Sequence, residues 1–185
     1  MLVLASESPR RSELLTSAGI PFVRRAPTPI DEAPLPGENP TQYVMRLARE
    51  KSLRVEPWEG EIILGADTAV VVDDQILGKP ADDNDARRML GLLSGRTHEV
   101  ITGICLATRT ATLVDAASTT VRFSSLSQGE IESYVASREP LDKAGAYAIQ
   151  GLASKFVERI DGCYSNVVGL PVSLLYRHLR ALCYM

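Results

Sequence analysis

The run GADTAVVVDDQILGKP, residues 65–80, leaves this chain few folds to choose from. Ile62, Ile63 and Leu64 lead into it as a short buried strand. That strand delivers Gly65, Asp67 and Thr68 to its end, and a second β-run continues over 69–72. Asp73-Asp74 reads as a two-residue turn, weaker than Asn-Gly, with 75–77 returning. With those residues at the tip, Val72 pairs with Gln75 and Lys79 falls opposite Thr68. A three-residue tip slips the register by one and sets Lys79 opposite Asp67. Either register brings a carboxylate and an ammonium together beside Gly65 and Gly78, which permit close approach to the backbone. A group that can hold a cation beside one that can hold an anion suits a phosphate–metal site. The plainer alternative is a charged pair at a hairpin base.

The start of the chain favours phosphate. Residues 2–5 form a buried strand, 6–8 a serine-rich turn, and Ser8 stands as the cap of a helix with Pro9 at its first position. Leu14 and Leu15 fall on its buried face and Gly19 stops it. Arg10 and Arg11 are anomalous there. Cations in a first helical turn oppose the helix dipole and each cost a few tenths of a kcal/mol or more. An anion held by hydroxyls, free N–H groups and these two arginines accounts for them; side chains pointing into water are the alternative.

Residues 22–26 suggest a second strand. PTPIDEAPLPGENP after it is Pro-rich and acidic and reads as a surface loop. Asp31 and Glu32 in that loop could join Asp67 around Mg²⁺, which takes one or two carboxylates plus phosphate oxygens. Asn39-Pro40 opens a helix reaching Val55, with Val44, Leu47, Ala48 and Lys51 on one face. Lys51 either snorkels to solvent or reaches a phosphate. Further on, 82–93 is an amphipathic helix closed by Ser94-Gly95, and 97–107 and 112–124 are long β-runs. Ser127 to Glu130 form a capping box for a helix through Val135. In DKAGAYAIQG, residues 142–151, small residues let a flat ligand approach, and the Gln150 amide suits the edge of a base; a buried glutamine bonded to backbone is the alternative. Residues 155–160, a turn at 161–162 and 164–168 suggest a last hairpin. The closing helix spans 172–182, with Leu174, Leu175 and Leu179 inward.

Bulk properties narrow the function. A net charge of -3 gives no basic field for long nucleic acid, and an aromatic share of 5% offers few stacking platforms. Cys105, Cys163 and Cys183 lack CxxC spacing and read as reduced thiols, neither a disulfide frame nor a zinc site. Met1 runs straight into LVLAS with no basic stretch before it, which reads as a first strand and not a signal peptide. No apolar run approaches the roughly 18 residues that span a membrane. HExxH, GxxxxGK[ST] and GxGxxG are all missing, and His98 and His178 form no convincing triad. Catalysis, if any, must therefore come from Asp, Glu, Lys, Arg and a metal.

Taken together, LASESPRR, GADTAVVVDDQILGKP, LSGRTHEV, EPLDKAGAYAIQG and YSNVVGLP closely resemble the Maf family of nucleotide pyrophosphatases, in the family's order and over nearly the whole chain. The resemblance implies one domain over 1–185 with an α/β fold like the inosine triphosphate pyrophosphatases: an elongated mixed β-sheet, flanking helices and two lobes around a deep cleft. It implies a cytoplasmic enzyme, often a homodimer, that splits nucleoside triphosphates into monophosphate and pyrophosphate with Mg²⁺ or Mn²⁺. Asp67 matches the family's proposed catalytic acidic residue. Ser6, Arg10, Arg11, Glu32, Lys51 and Lys79 match the phosphate- and metal-handling set, with Glu32 and Asp67 on the metal. Arg10, Thr68 and Gln150 look like the dTTP/UTP pyrophosphatases and differ from the sister group acting on 7-methyl-GTP. Cys163 stands where serine is more usual. Because the family is associated with septation, a nucleotide-binding regulator of septum formation without turnover is the alternative reading.

Overall fold

The structure is a computed structural model that describes residues 1–182; Cys183 lies outside the described residues. Its strands are β1 (Leu2–Ala5), β2 (Val23–Arg24), β3 (Ile62–Val72), β4 (Gln75–Leu77), β5 (Thr97–Ala107), β6 (Thr112–Phe123) and β7 (Val157–Asp161). The α-helices are α1 (Pro9–Ser17), α2 (Pro40–Leu53), α3 (Asp83–Leu93), α4 (Gln128–Ala136), α5 (Tyr164–Val168) and α6 (Val172–Ala181). They flank a seven-stranded sheet in the order β2-β1-β3-β5-β6-β7, with β4 on β3. Pairing is parallel for β1 with β2 and β3, and antiparallel for β3 with β4 and β6 with β7. The expected mixed α/β fold is the one found. Among the described residues no helix is long and apolar enough to cross a membrane.

The chain divides into two compact units, one of Met1–Thr68, Thr102–Ala117 and the segment from Gly169 on, the other of Ala69–Ile101 and Ser118–Val168. In the first, the period-2 alternation of a doubly buried strand is explicit. Leu2 and Leu4 join Leu64, Ile104 and Leu106 against Leu15 of α1 and Leu175 and Leu179 of α6. Val3 and Ala5 turn the other way, to Ile63, Cys105 and Ala48 of α2. Two glycines seat α2. A Cβ on Gly65 would collide with the Ala48 carbonyl oxygen and stand 2.8 Å from Ser52 N, and one on Gly103 would stand 2.8 Å from Met45 N. The close approach that Gly65 permits is therefore that of a helix.

The second unit is built on the β3–β4 hairpin. Val72 pairs with Gln75, so the tip is the two-residue one. Asp73 and Asp74 hold φ of 49° and 60°, the left-handed pair that such a turn needs, and Arg96 Nη2 clamps Asp73 at 2.5 Å. Val70, Leu77, Leu90, Phe123 and Phe156 lie in its core. The α4 capping box, Ser127 with Glu130, is present.

Three local expectations change. Residues 164–168 form the helix α5, and β7 pairs with β6 instead. The Asn166 amide there donates to Val100 O and Thr119 Oγ1, at 2.8 and 3.0 Å, and the N–H groups of Asn166 and Val167 turn back to Cys163 O. The second strand shrinks to Val23–Arg24, both exposed. Ser8 occupies the N-cap of α1 without a side-chain capping bond; its own N–H donates to Ser6 Oγ.

Candidate active site

The turn after β1 and the first turn of α1 place Ser6 and Arg11 together. Ser6 is buried, and its Oγ accepts from Arg11 Nη1 at 3.2 Å. Arg11 Nη2 donates to Thr68 Oγ1 at 3.3 Å and its Nε to Gly169 O at 2.9 Å. One guanidinium thus ties the first turn, the end of the β3 motif and the start of the closing segment together. Burial lowers the pKa of Arg11, and the Asp67 carboxylate opposes that shift; a guanidinium stays charged regardless. Thr68 Oγ1 also meets Thr102 Oγ1 at 3.0 Å. At Gly169 φ is 126°, so a glycine is needed there. Arg10 sits beside Arg11, half-buried, and its charge depresses the Arg11 pKa further.

Lys51 projects from the apolar face of α2, which Val44, Leu47 and Ala48 bury completely. Its Nζ lies 2.5 Å from Asp67 Oδ1 and 2.8 Å from Glu32 Oε1. Asp67 is buried, and desolvation raises its pKa despite the opposing pull of Lys51. The ammonium held by Asp67 is thus that of Lys51. The β3–β4 ladder ends at Leu77, which leaves Lys79 beyond it and exposed. Asp31 does not join the pair; its Oδ1 accepts from Ala33 N at 2.9 Å and shapes the loop.

Two residues that sequence reasoning passed over hold the Glu32 loop. Tyr43 Oη donates to Glu32 O at 3.0 Å, and Arg46 bonds Glu38 Oε1 at 2.7 Å and Ala33 O at 3.0 Å. Desolvation, with Asp67 and Glu32 nearby, pushes the Tyr43 phenol up to about 12. Their helical spacing toward an acidic loop was the available signal.

Ser6, Arg11, Glu32, Lys51, Asp67 and Thr68 therefore come together in the first unit. Lys79 and Gln150 belong to the second. Gln150 is exposed, so the buried-glutamine alternative falls. Gly78 O, next to Lys79, accepts from Gly145 N at 3.0 Å. For a metal, the fit lies in the donor set. Glu32 and Asp67 converge on one cation, here an ammonium, and two carboxylate ligands suit Mg²⁺ completed by phosphate oxygens.

Comparison with known proteins shows what the chain is similar to. A dTTP/UTP pyrophosphatase of Koribacter versatilis is 48% identical over 180 residues, covering 97% of this chain and 93% of that protein. One from Anaeromyxobacter sp. is 54% identical over 184 residues, with 97% and 88% covered. Another, from Sphingopyxis alaskensis, is 54% identical over 172 residues, with 92% and 90% covered. The Ham1 protein of Staphylococcus aureus superposes with a TM-score of 0.55 at 13% identity, over 97% of this chain and 98% of that one, a likeness of fold alone. The model of the Maf family, Maf-like protein, matches residues 1–182. With that match and half-identical relatives over almost its full length, this chain belongs to the Maf family.

Proposed function

We propose that this chain hydrolyses dTTP and UTP to the nucleoside monophosphate and pyrophosphate. The observation that carries the reading is the meeting of Glu32 and Asp67 on Lys51, in the same unit as an Arg11 held by Ser6 and Thr68. A binder without turnover has no need of two carboxylates converging where a metal would be held. Relatives at about half identity carry the name of this activity.

The reaction moves negative charge. Water attacks the α-phosphorus, the bond to the α–β bridging oxygen breaks, pyrophosphate leaves and the water's proton must go to a base. Asp67, whose buried carboxyl has a raised proton affinity, either takes that proton or orients the water. Arg11, Lys51 and Lys79 neutralise charge as it accumulates on the leaving group, and Ser6 and Arg10 add contacts to the phosphates. Glu32 and Asp67 would hold Mg²⁺ or Mn²⁺, which when bound supplies a Lewis acid for the phosphate oxygens. Gln150 reads the base edge and Thr68 keeps Arg11 in place. Modified pyrimidine triphosphates fall within the same substrate class. The reading extends to one domain over 1–185, a homodimer and a cytoplasmic house-cleaning role; light scattering of the purified protein tests the dimer.

Pyrophosphate release is the test, measured with Mg²⁺ or Mn²⁺ on dTTP, UTP, CTP, dATP, GTP and 7-methyl-GTP. Turnover strongest on dTTP and UTP is the expected outcome. Preference for 7-methyl-GTP would keep the chemistry and overturn the substrate, while binding without any turnover would favour the septation regulator.

A further inference from the structure

Gln150 is exposed, yet the backbone on both sides of it is tied down. Before it, Ala148 N donates to Tyr134 Oη at 3.2 Å. That hydroxyl donates in turn to Glu139 Oε1 at 2.8 Å. After it, Leu152 N donates to the other oxygen, Glu139 Oε2, at 3.1 Å. One carboxylate therefore closes a loop of bonds around the segment that carries Gln150, through the buried phenol of Tyr134 on one side and directly on the other. The fit is tight, since a Cβ on Gly151 would stand 2.5 Å from Glu139 Cδ. His98 Nε2 meets Tyr147 Oη at 2.8 Å and fixes the start of the same segment.

We propose that Glu139, acting through Tyr134, is a positioning residue for base recognition: it holds the 148–152 backbone so that the Gln150 amide stands ready at a fixed place. The proposal rests on the reading of Gln150 as the base-recognising group. Both Glu139 bonds are made by acceptor oxygens, and a carboxylate supplies acceptors on both sides. A glutamine has one acceptor oxygen: with it kept toward Leu152 N, its amide N–H faces Tyr134 Oη and the Tyr134 hydroxyl proton loses its carboxylate acceptor, so Glu139→Gln gives up that charge-assisted bond at nearly constant size. Tyr134→Phe removes the Tyr134 arm outright, with both of its bonds, and leaves the Leu152 bond in place. Preorganisation of this kind acts on ligands that use the base and leaves phosphate binding alone.

The experiment compares two probes on the full chain by calorimetric titration: α,β-imido-dTTP, which cannot be cleaved at the reacting bond, and inorganic tripolyphosphate, which has no base. For Glu139→Gln, affinity for the dTTP analogue should fall about tenfold, and tripolyphosphate affinity should stay within about twofold. Tyr134→Phe should show the same selective loss, and the double variant should be no worse than the weaker single one, because both act on one network. Equal losses on both probes, or none on either, overturn the proposal. A wild-type protein that binds the dTTP analogue no better than tripolyphosphate overturns it too, because no base preference then exists to be positioned. Selective wild-type binding without pyrophosphate release from dTTP would sink the proposed reaction alone and leave Glu139 to be judged by its two affinities.

Discussion

Lys51 Nζ stands 2.5 Å from Asp67 Oδ1 and 2.8 Å from Glu32 Oε1. An ammonium paired in this way is charge-compensated by two carboxylates, and in the proposed mechanism it would turn to phosphate once they hold the metal. The arrangement separates the cost of the site from its benefit: burial of the Asp67 charge is paid in stability, and the return is chemistry.

Asp67→Asn tests that separation. Burial raises the Asp67 pKa, so the protonated form is favoured on folding. Its contribution to stability is present below the ordinary carboxylate range and is lost as pH rises through the folded value. At neutral pH the charge is a net burden, which asparagine removes at the same size, and Lys51 keeps Glu32. Pyrophosphate release should fall by about a hundredfold or more, and the thermal midpoint should rise. Activity within about tenfold of wild type at saturating metal would remove Asp67 from the centre of the mechanism. Calorimetry on the same sample reads the second half.

His98 predicts an acid-side loss of stability. It is buried between the Phe123 and Tyr147 rings, at centroid distances of 5.0 and 5.4 Å, and desolvation takes it from an ordinary 6.5 down to about 4. The folded ring resists a proton that the unfolded chain accepts, so stability from this group is intact above pH of about 6.5 and declines toward about 4. At roughly 1.4 kcal/mol per unit, the full loss approaches about 3 kcal/mol. Glutamine can still bond Tyr147 Oη but does not titrate. Urea midpoints across this window should therefore fall less steeply for His98→Gln than for wild type. Parallel curves would refute the assignment.

Much of this architecture is legible in the chain itself. The alternation that sends Leu2 and Leu4 to one face and Val3 and Ala5 to the other is a local property, and so is the Ser127–Glu130 box. The carboxylates and cations of the site are also visible as residue types out of place, such as Arg11 in a first helical turn. Their partners are not. Arg11 bonds Gly169 across 158 positions, and Lys51 reaches Asp67 only because α2 lies against β3. The mistaken last hairpin has the same origin, since YSNVV carries no period that distinguishes strand from helix. What decides is the Asn166 amide, which bonds Val100 and Thr119.

Gln150 should govern choice of base more than rate. Its amide offers both donors and acceptors, and a carboxylate offers acceptors alone. Gln150→Glu should lower the kcat/KM ratio of dTTP to CTP by about tenfold or more, while hydrolysis of the least preferred triphosphate stays within about threefold. A uniform loss across the panel would mean that this residue serves the phosphates or the fold instead.

Gly65 links packing to chemistry most directly. The two atoms nearest a Cβ there, Ala48 O and Ser52 N, are backbone of α2, and the third, Ser52 Cβ, is fixed by that backbone, so nothing can swing away to make room. Gly65→Ala must push α2 off β3 or bend the strand. Lys51 lies on that stretch of α2, and Asp67 lies two residues beyond Gly65 on β3. Their 2.5 Å contact cannot survive such a shift unchanged. A misplacement of about 1 Å at reacting groups costs on the order of a hundredfold in rate, so kcat should fall by that order along with the thermal midpoint. Gly91 supplies the contrast. It is exposed within α3, a Cβ there meets nothing within 4 Å, and alanine is the better helix former by about 1 kcal/mol. Gly91→Ala should raise the midpoint and leave kcat alone. If both variants behaved alike in a thermal melt, the close seat of α2 on Gly65 would be wrong, and with it the reason that Lys51 reaches Asp67.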